Sequence, residues 1–142
     1  IIDATSDAIS QLRETVGGLR SRPEVIPDLE EIVSGIHGLD VDLVVESDGD
    51  PPDPDADVVI RSIIRESLTN VLRHAGATEA RVLLTVDDEE VSVEVVDNGA
   101  GGDVVEGHGI RGMRERVATV GGTLEIGSAN SGGFRVAARI PR

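Results

Sequence analysis

The chain has 142 residues, no cysteine and a single aromatic residue, Phe134. It is long enough to build a core from Val, Ile, Leu and Ala without metals or disulfides, and it leaves no room for thiol chemistry, cysteine-ligated metals or aromatic platforms for single-stranded nucleic acid. A formal charge of -14 repels nucleic-acid backbones and acidic membranes, so any anionic ligand needs a local device to hold it.

No apolar run approaches the length of a membrane span, and no signal peptide opens the chain. It starts at Ile1, without a Met and already inside a helical pattern, which suggests a piece of a longer protein. In residues 1–20, Ile1, Ala4, Ala8, Ile9, Leu12, Val16 and Leu19 recur at three- and four-residue steps, predicting an amphipathic helix that Pro23 ends. Pro27 to His37 repeats that spacing with Leu29, Ile32 and Ile36, a short helix closed near Gly38. VDLVVE at 41–46 alternates as a strand. SDGDPPDPDAD at 47–57 reads as an acidic loop, too short and too well flanked to divide the chain.

From Val58 to about Ala75, Ile60, Ile64, Leu68 and Val71 return to helical spacing. Two alternating strands follow, ARVLLTV from 80 and VSVEVV from 91, joined by a turn at Asp87 to Glu90. Beyond a glycine-rich stretch, Ile110 to Val120 predicts a helix, and TLEIG and FRVAARI predict a closing hairpin around SANSGG. The order implies a two-layer α/β sandwich with one mixed, mainly antiparallel sheet and helices on one face.

Three clusters carry chemistry. GHGIRGM, residues 107–113, contains a Gly-x-Gly-x-x-Gly string, but a dinucleotide-binding unit would need an apolar strand running straight into Gly107 and more chain after it. The glycines are better suited to a helix start: Gly107 and Gly109, flanking His108, let backbone N–H groups approach an anion, and a helix opening at Ile110 adds its positive end. A mobile connector that merely tolerates glycine is the alternative.

The second cluster closes a strand with Asp97, Asn98, Gly99 and Gly101. Asn98-Gly99 is also a good hairpin turn, yet no alternating strand follows it at once. A carboxylate there is able to accept from an exocyclic amine such as that of adenine, with glycines letting a flat ring slide in. The third cluster is on the helix RSIIRESLTNVLRHAGA. Glu66 and Asn70 are four apart, share one face and border the apolar stripe, and Arg73 and His74 extend that edge by a turn. An ordinary solvated helix face has the same residues.

Taken together, ESLTNVLRHA, VVDNGAGG and GHGIRGM resemble the nucleotide-binding boxes of the GHKL ATPases, the superfamily of gyrase, heat-shock chaperone, histidine kinase and mismatch-repair proteins. They look most like the catalytic domain of sensor histidine kinases that signal to NarL-like response regulators. The resemblance covers residues 25–142 and implies a Bergerat-type ATP-binding fold, with residues 1–22 resembling the end of a dimerisation and phosphotransfer helix.

Several roles follow from that resemblance. Asn70 would coordinate Mg²⁺ bridging the triphosphate, Glu66 would orient a water in hydrolysing members, and Asp97 would bind the adenine amine. Gly99 and Gly101 would shape the base pocket, Gly107 and Gly109 would close over the phosphates with His108 and Ile110, and Arg73 and His74 would stand near phosphate. The segment 102–106 corresponds to a short lid.

Departures from the family pattern are two. The three histidines are His37, His74 and His108, none of them in the first helix, so the phosphate-accepting histidine is expected upstream of Ile1. Many relatives have an adenine-contacting threonine near the last strand, where this chain has Phe134. The implied partners are ATP, the dimerisation domain of the same protein and a response regulator, in a full-length homodimer, with no nucleic acid. The implied location is cytoplasmic, compatible with a membrane anchor elsewhere in the sensor. A serine kinase of the same fold acting on an anti-sigma-factor antagonist, or a degenerate nucleotide-binding module, would share these boxes.

Overall fold

The computed structural model describes residues 29–101, 107–130 and 132–142, so the helix expected over 1–20 and the lid at 102–106 lie outside the described residues. In chain order the elements are α1 (Leu29–Ser34), β1 (Asp40–Ser47), α2 (Pro54–Asn70), a π-helical turn (Val71–Ala75), β2 (Glu79–Val86), β3 (Glu90–Asp97), α3 (His108–Thr119), β4 (Thr123–Ser128) and β5 (Phe134–Pro141). The five strands form one sheet in the order β1-β2-β3-β5-β4. β1 and β2 pair in parallel, and the other three pairings are antiparallel. A parallel pair needs a long crossover, which α2 supplies.

Two helix starts lie earlier than the periodicity predicts. α2 begins at Pro54, inside what reads as the acidic loop. Proline at the first helical position sacrifices no hydrogen bond, and Asp55 and Asp57 in the first turn suit the positive end of the helix. α3 begins at His108 behind Gly107 at the N-cap, two residues before Ile110. Glycines carry no periodicity signal, so this first turn is invisible to hydrophobic spacing.

Alternation along the strands sorts the side chains into two faces. On one face Val82, Leu84, Val86, Val91, Val93 and Val95 are at most 2% exposed, covered by Ile60, Ile63, Ile64 and Leu68 of α2 and by Met113 and Val117 of α3. The opposite face carries ion pairs, Arg135 with Glu94 and Glu125, Arg139 with Glu90, and Arg81 with Asp42. The described helices therefore all lie on one side, as the two-layer reading expects.

The loop before α2 is stapled to the rest by the last residue. Arg142 donates to the carbonyls of Asp50, Pro51 and Asp87 at 2.8–2.9 Å, tying the acidic loop to the β2–β3 turn.

Candidate functional site

Coverage of the sheet by helices stops short of one end, and a cleft of about 650 Å³ opens there. The row Val93–Ala138–Leu124 is buried beneath α3, whereas in the next row, Val95–Val136–Ile126, Val136 and Ile126 are only partly covered. That second row floors the cleft. α2 walls it with Glu66, Ser67 and Asn70, and the first two turns of α3 wall it with His108, Gly109, Ile110 and Met113. The three sequence clusters, spread over residues 66 to 110, thus meet at one place.

Asp97 ends β3 at the cleft and is 3% exposed. Its Oδ1 accepts the Gly99 N–H at 2.7 Å and the Phe134 N–H at 3.4 Å. No described donor is set against Oδ2, which leaves one carboxylate oxygen for a ligand in the cleft. The backbone closes tightly around this residue. A Cβ on Gly133 would overlap the Asp97 carbonyl, and Gly101, at φ +69°, approaches the Gly132 carbonyl so closely that a side chain there would collide with it.

Asn98 is not a hairpin residue. Its Oδ1 accepts the N–H groups of Thr78 and Glu79, both at 2.9 Å, and its Nδ2 donates to Thr78 Oγ1 at 3.0 Å. With the Asn98 N–H donated to the Glu79 carbonyl, pairing to β2 continues one residue past Asp97. Gly99 is absent from the cleft wall; its contribution is the N–H it gives to Asp97.

Across the cleft, Gly109 lies against the Glu66 carboxylate, where a Cβ would overlap Glu66 Oε2 and come within 3.7 Å of Asn70 Nδ2. The absence of a side chain at 109 is what lets the start of α3 meet these two residues of α2. Around Gly107 the space is open. The site therefore joins a helix N-terminus, a carboxylate and an amide, within reach of one ligand.

Asn70 is the last α-helical residue of α2, and the π turn that follows carries Arg73 to the cleft rim before Gly76 stops it in the left-handed region. Single π turns inside or at the end of helices recur at functional sites. The sequence reads only as helix through this stretch, because the apolar spacing does not distinguish a four-residue from a five-residue turn. His74 lies in the same π turn, and its side chain is outside the described residues.

Residues that the sequence analysis did not single out also line the cleft: Ser67, Val71, Val95, Met113, Ile126 and Val136. Strand alternation could have found part of this set, since Val95 shares a face with Asp97, and Val136 with Phe134. Ser67 and Met113 form a contact between α2 and α3, Oγ to Sδ at 3.7 Å, which no spacing within either helix foretells.

Among the described residues no group of three or more His, Cys, Asp or Glu side chains could cage a metal ion. Glu66 brings a carboxylate and Asn70 an amide to the cleft wall, and carboxylate and amide oxygens are donor types that fit Mg²⁺ when phosphate oxygens and waters complete the shell.

Residues 55–142 match the family model for histidine kinase-, DNA gyrase B-, and HSP90-like ATPases. The match takes in more than half of the chain, including every cluster at the cleft, and the chain belongs to this family. It is 31% identical over 129 residues to the sensor histidine kinase YxjM of Bacillus subtilis, covering 90% of this chain and 31% of that protein. With the sensor histidine kinase NarS of Mycobacterium tuberculosis the identity is 37% over 117 residues, 76% of this chain and 26% of NarS. The chain thus spans a third or less of the length of these relatives. The ATP-binding domain of PrrB from Mycobacterium tuberculosis shares the fold, with a TM-score of 0.63 at 20% identity, over 83% of this chain and 91% of that one.

Proposed function

We propose that this chain is the ATP-binding catalytic domain of a two-component sensor histidine kinase. It transfers the γ-phosphoryl group of ATP to a histidine on a dimerisation domain upstream, of which residues 1–22 form the end, and the phosphoryl group passes on to an aspartate of a response regulator. The observation that carries this reading is the meeting of Asp97, Glu66, Asn70 and the Gly107–Gly109 helix start at one cleft in a member of an ATPase family.

The residues divide the nucleotide between them. Asp97 Oδ2 accepts the adenine amine, with Gly99 and Gly101 holding the backbone around it. The N-terminus of α3, from Gly107 through His108 and Gly109 to Ile110, donates to phosphate, and Arg73 at the cleft rim adds positive charge on the phosphate side, with His74 the next residue in the chain. Asn70 would hold Mg²⁺ through its amide oxygen. When bound, the metal would neutralise charge on the leaving diphosphate, which matters here because Glu66, Asp97 and the -14 chain all oppose a triphosphate.

In the transfer, the bond from the γ-phosphorus to its bridging oxygen breaks as one to an imidazole nitrogen forms, and ADP leaves. Little covalent chemistry falls to the protein. Its contribution is alignment and charge, worth on the order of 7–11 kcal/mol where the reactants are well oriented.

The decisive assay adds labelled ATP and a histidine phosphotransfer domain to this chain. Acid-labile phosphate on the added domain, lost in the absence of Mg²⁺, supports the reading. Acid-stable phosphate on a serine of an antagonist protein, acid-labile phosphate on this chain alone, or no transfer to any candidate overturns it. The same proposal takes the full-length protein as a homodimer with this domain in the cytoplasm; among the described residues no helix is long and apolar enough to cross a membrane.

A further inference from the structure

The only aromatic side chain of the protein is not a core residue. Phe134 opens β5 on the cleft-facing side, half-buried, whereas the largest core side chains are less than 2% exposed. Its backbone N–H, 3.4 Å from Asp97 Oδ1, fixes its position beside that carboxylate. Register sets Phe134 opposite Ser128, one row beyond Val95–Val136–Ile126. The sheet therefore gives the cleft five side chains, Val95, Asp97, Ile126, Phe134 and Val136, and only the carboxylate among them is polar.

An apolar floor, an aromatic ring at its rim and one acceptor at the edge suit a flat aromatic ring with an exocyclic amine. We propose that Phe134 is a base-packing residue, whose ring lies against the nucleobase and so sets base affinity jointly with Asp97; this rests on the cleft being the ATP site. A hydroxyl-bearing residue at 134 would add a polar contact to the base. Phe134 adds contact area instead, leaving recognition of the amine to Asp97.

Aromatic proton resonances of the 142-residue chain come only from Phe134 and three histidines, so the ring is followed directly by NMR. Titration with ADP should shift the Phe134 ring protons upfield. Phe134→Ala should weaken ADP binding roughly 5- to 150-fold, the range of base–aromatic stacking, and Phe134→Leu by less. Binding of inorganic tripolyphosphate, which has no base, should be the same in all three proteins.

Ring protons that stay put while ADP binds in an Asp97-dependent manner overturn the proposal and leave the ATP reading standing. Tighter ADP binding by Phe134→Ala also overturns it, since the ring then obstructs the cleft. ADP binding that is absent, or indifferent to Asp97→Asn, overturns both. If Phe134→Ala does not fold, the wild-type shift and Phe134→Leu decide.

Discussion

Gly109 at the start of α3 packs directly on the Glu66 carboxylate of α2, with Asn70 one turn further along the same helix face. A methyl group at 109 would overlap Glu66 Oε2, the far end of a flexible side chain. Gly109→Ala should therefore change stability little, because Glu66 swings away and alanine favours helix by up to about 1 kcal/mol. Phosphoryl transfer should fall by roughly 10- to 100-fold, since displacement of a positioned group by about an ångström is costly. Equal loss of melting temperature and activity would mean that the glycine serves packing alone.

Asp97→Asn tests the buried carboxylate. The asparagine oxygen can still take the Gly99 N–H, which turns its amide N–H₂ toward the cleft and sets donor against donor at the adenine amine. ATP affinity should drop by about 1.5–3 kcal/mol, the loss of a charge-assisted hydrogen bond. Titration calorimetry showing unchanged affinity would remove Asp97 from base recognition. GTP should bind wild type poorly, because guanine presents a carbonyl at the corresponding position.

Asn70→Ala should abolish the Mg²⁺-dependent part of nucleotide affinity and spare the base contacts made by Asp97. Mg²⁺ prefers oxygen ligands and keeps several waters, so a single amide oxygen is a reasonable share of its shell. Binding measured with Mg²⁺ and with a chelator gives the comparison. A mutant with full magnesium dependence would reduce Asn70 to a helix residue.

Leu68 is fully buried between α2 and the sheet, two residues from both Glu66 and Asn70. Leu68→Ala should cost about 2–5 kcal/mol of folding stability through lost burial and the cavity left behind. Urea denaturation measures this, and a loss below about 1 kcal/mol would show that the site collapses around the smaller side chain.

The β2–β3 turn should be acid-sensitive. Asp87 Oδ1 accepts the N–H groups of Glu90 and Glu89, both at 2.8 Å, and these bonds, in that order, with the nearby Arg142 guanidinium hold its carboxyl below the ordinary aspartate range. A depressed carboxyl stabilises the fold fully above its unfolded pKa, about pH 4, and loses that contribution as pH falls through the lower folded value. Asp87→Ala should thus melt below wild type at pH 7, and the gap should close under acid. A gap independent of pH would assign the effect to the turn backbone.

Much of the fold is written in periodicity. Helical spacing of Ile60, Ile64 and Leu68 and alternation in β2, β3 and β5 follow from burying one face of each element, so they are legible without neighbours. The chemistry-bearing residues are legible as well, since a carboxylate at a strand end, an amide on a helix face and paired glycines are unusual for their positions. The boundaries are less so: Pro54 reads as loop and starts α2, and His108 reads as approach and is already α3.

Composition, spacing and residue type determined by themselves the two-layer class and the three clusters with their chemical potential. The resemblance of the motifs implied one nucleotide site for Asp97, Glu66, Asn70 and Gly109, but only the tertiary structure decided that Gly109 packs on Glu66, that Val95, Val136 and Ile126 floor the cleft, and that Asn98 staples β2 rather than turning a hairpin. Local pattern records how each element meets water and core. The meeting of distant elements depends on strand order and on where helix coverage ends, which are properties of the packed sheet and not of any one segment.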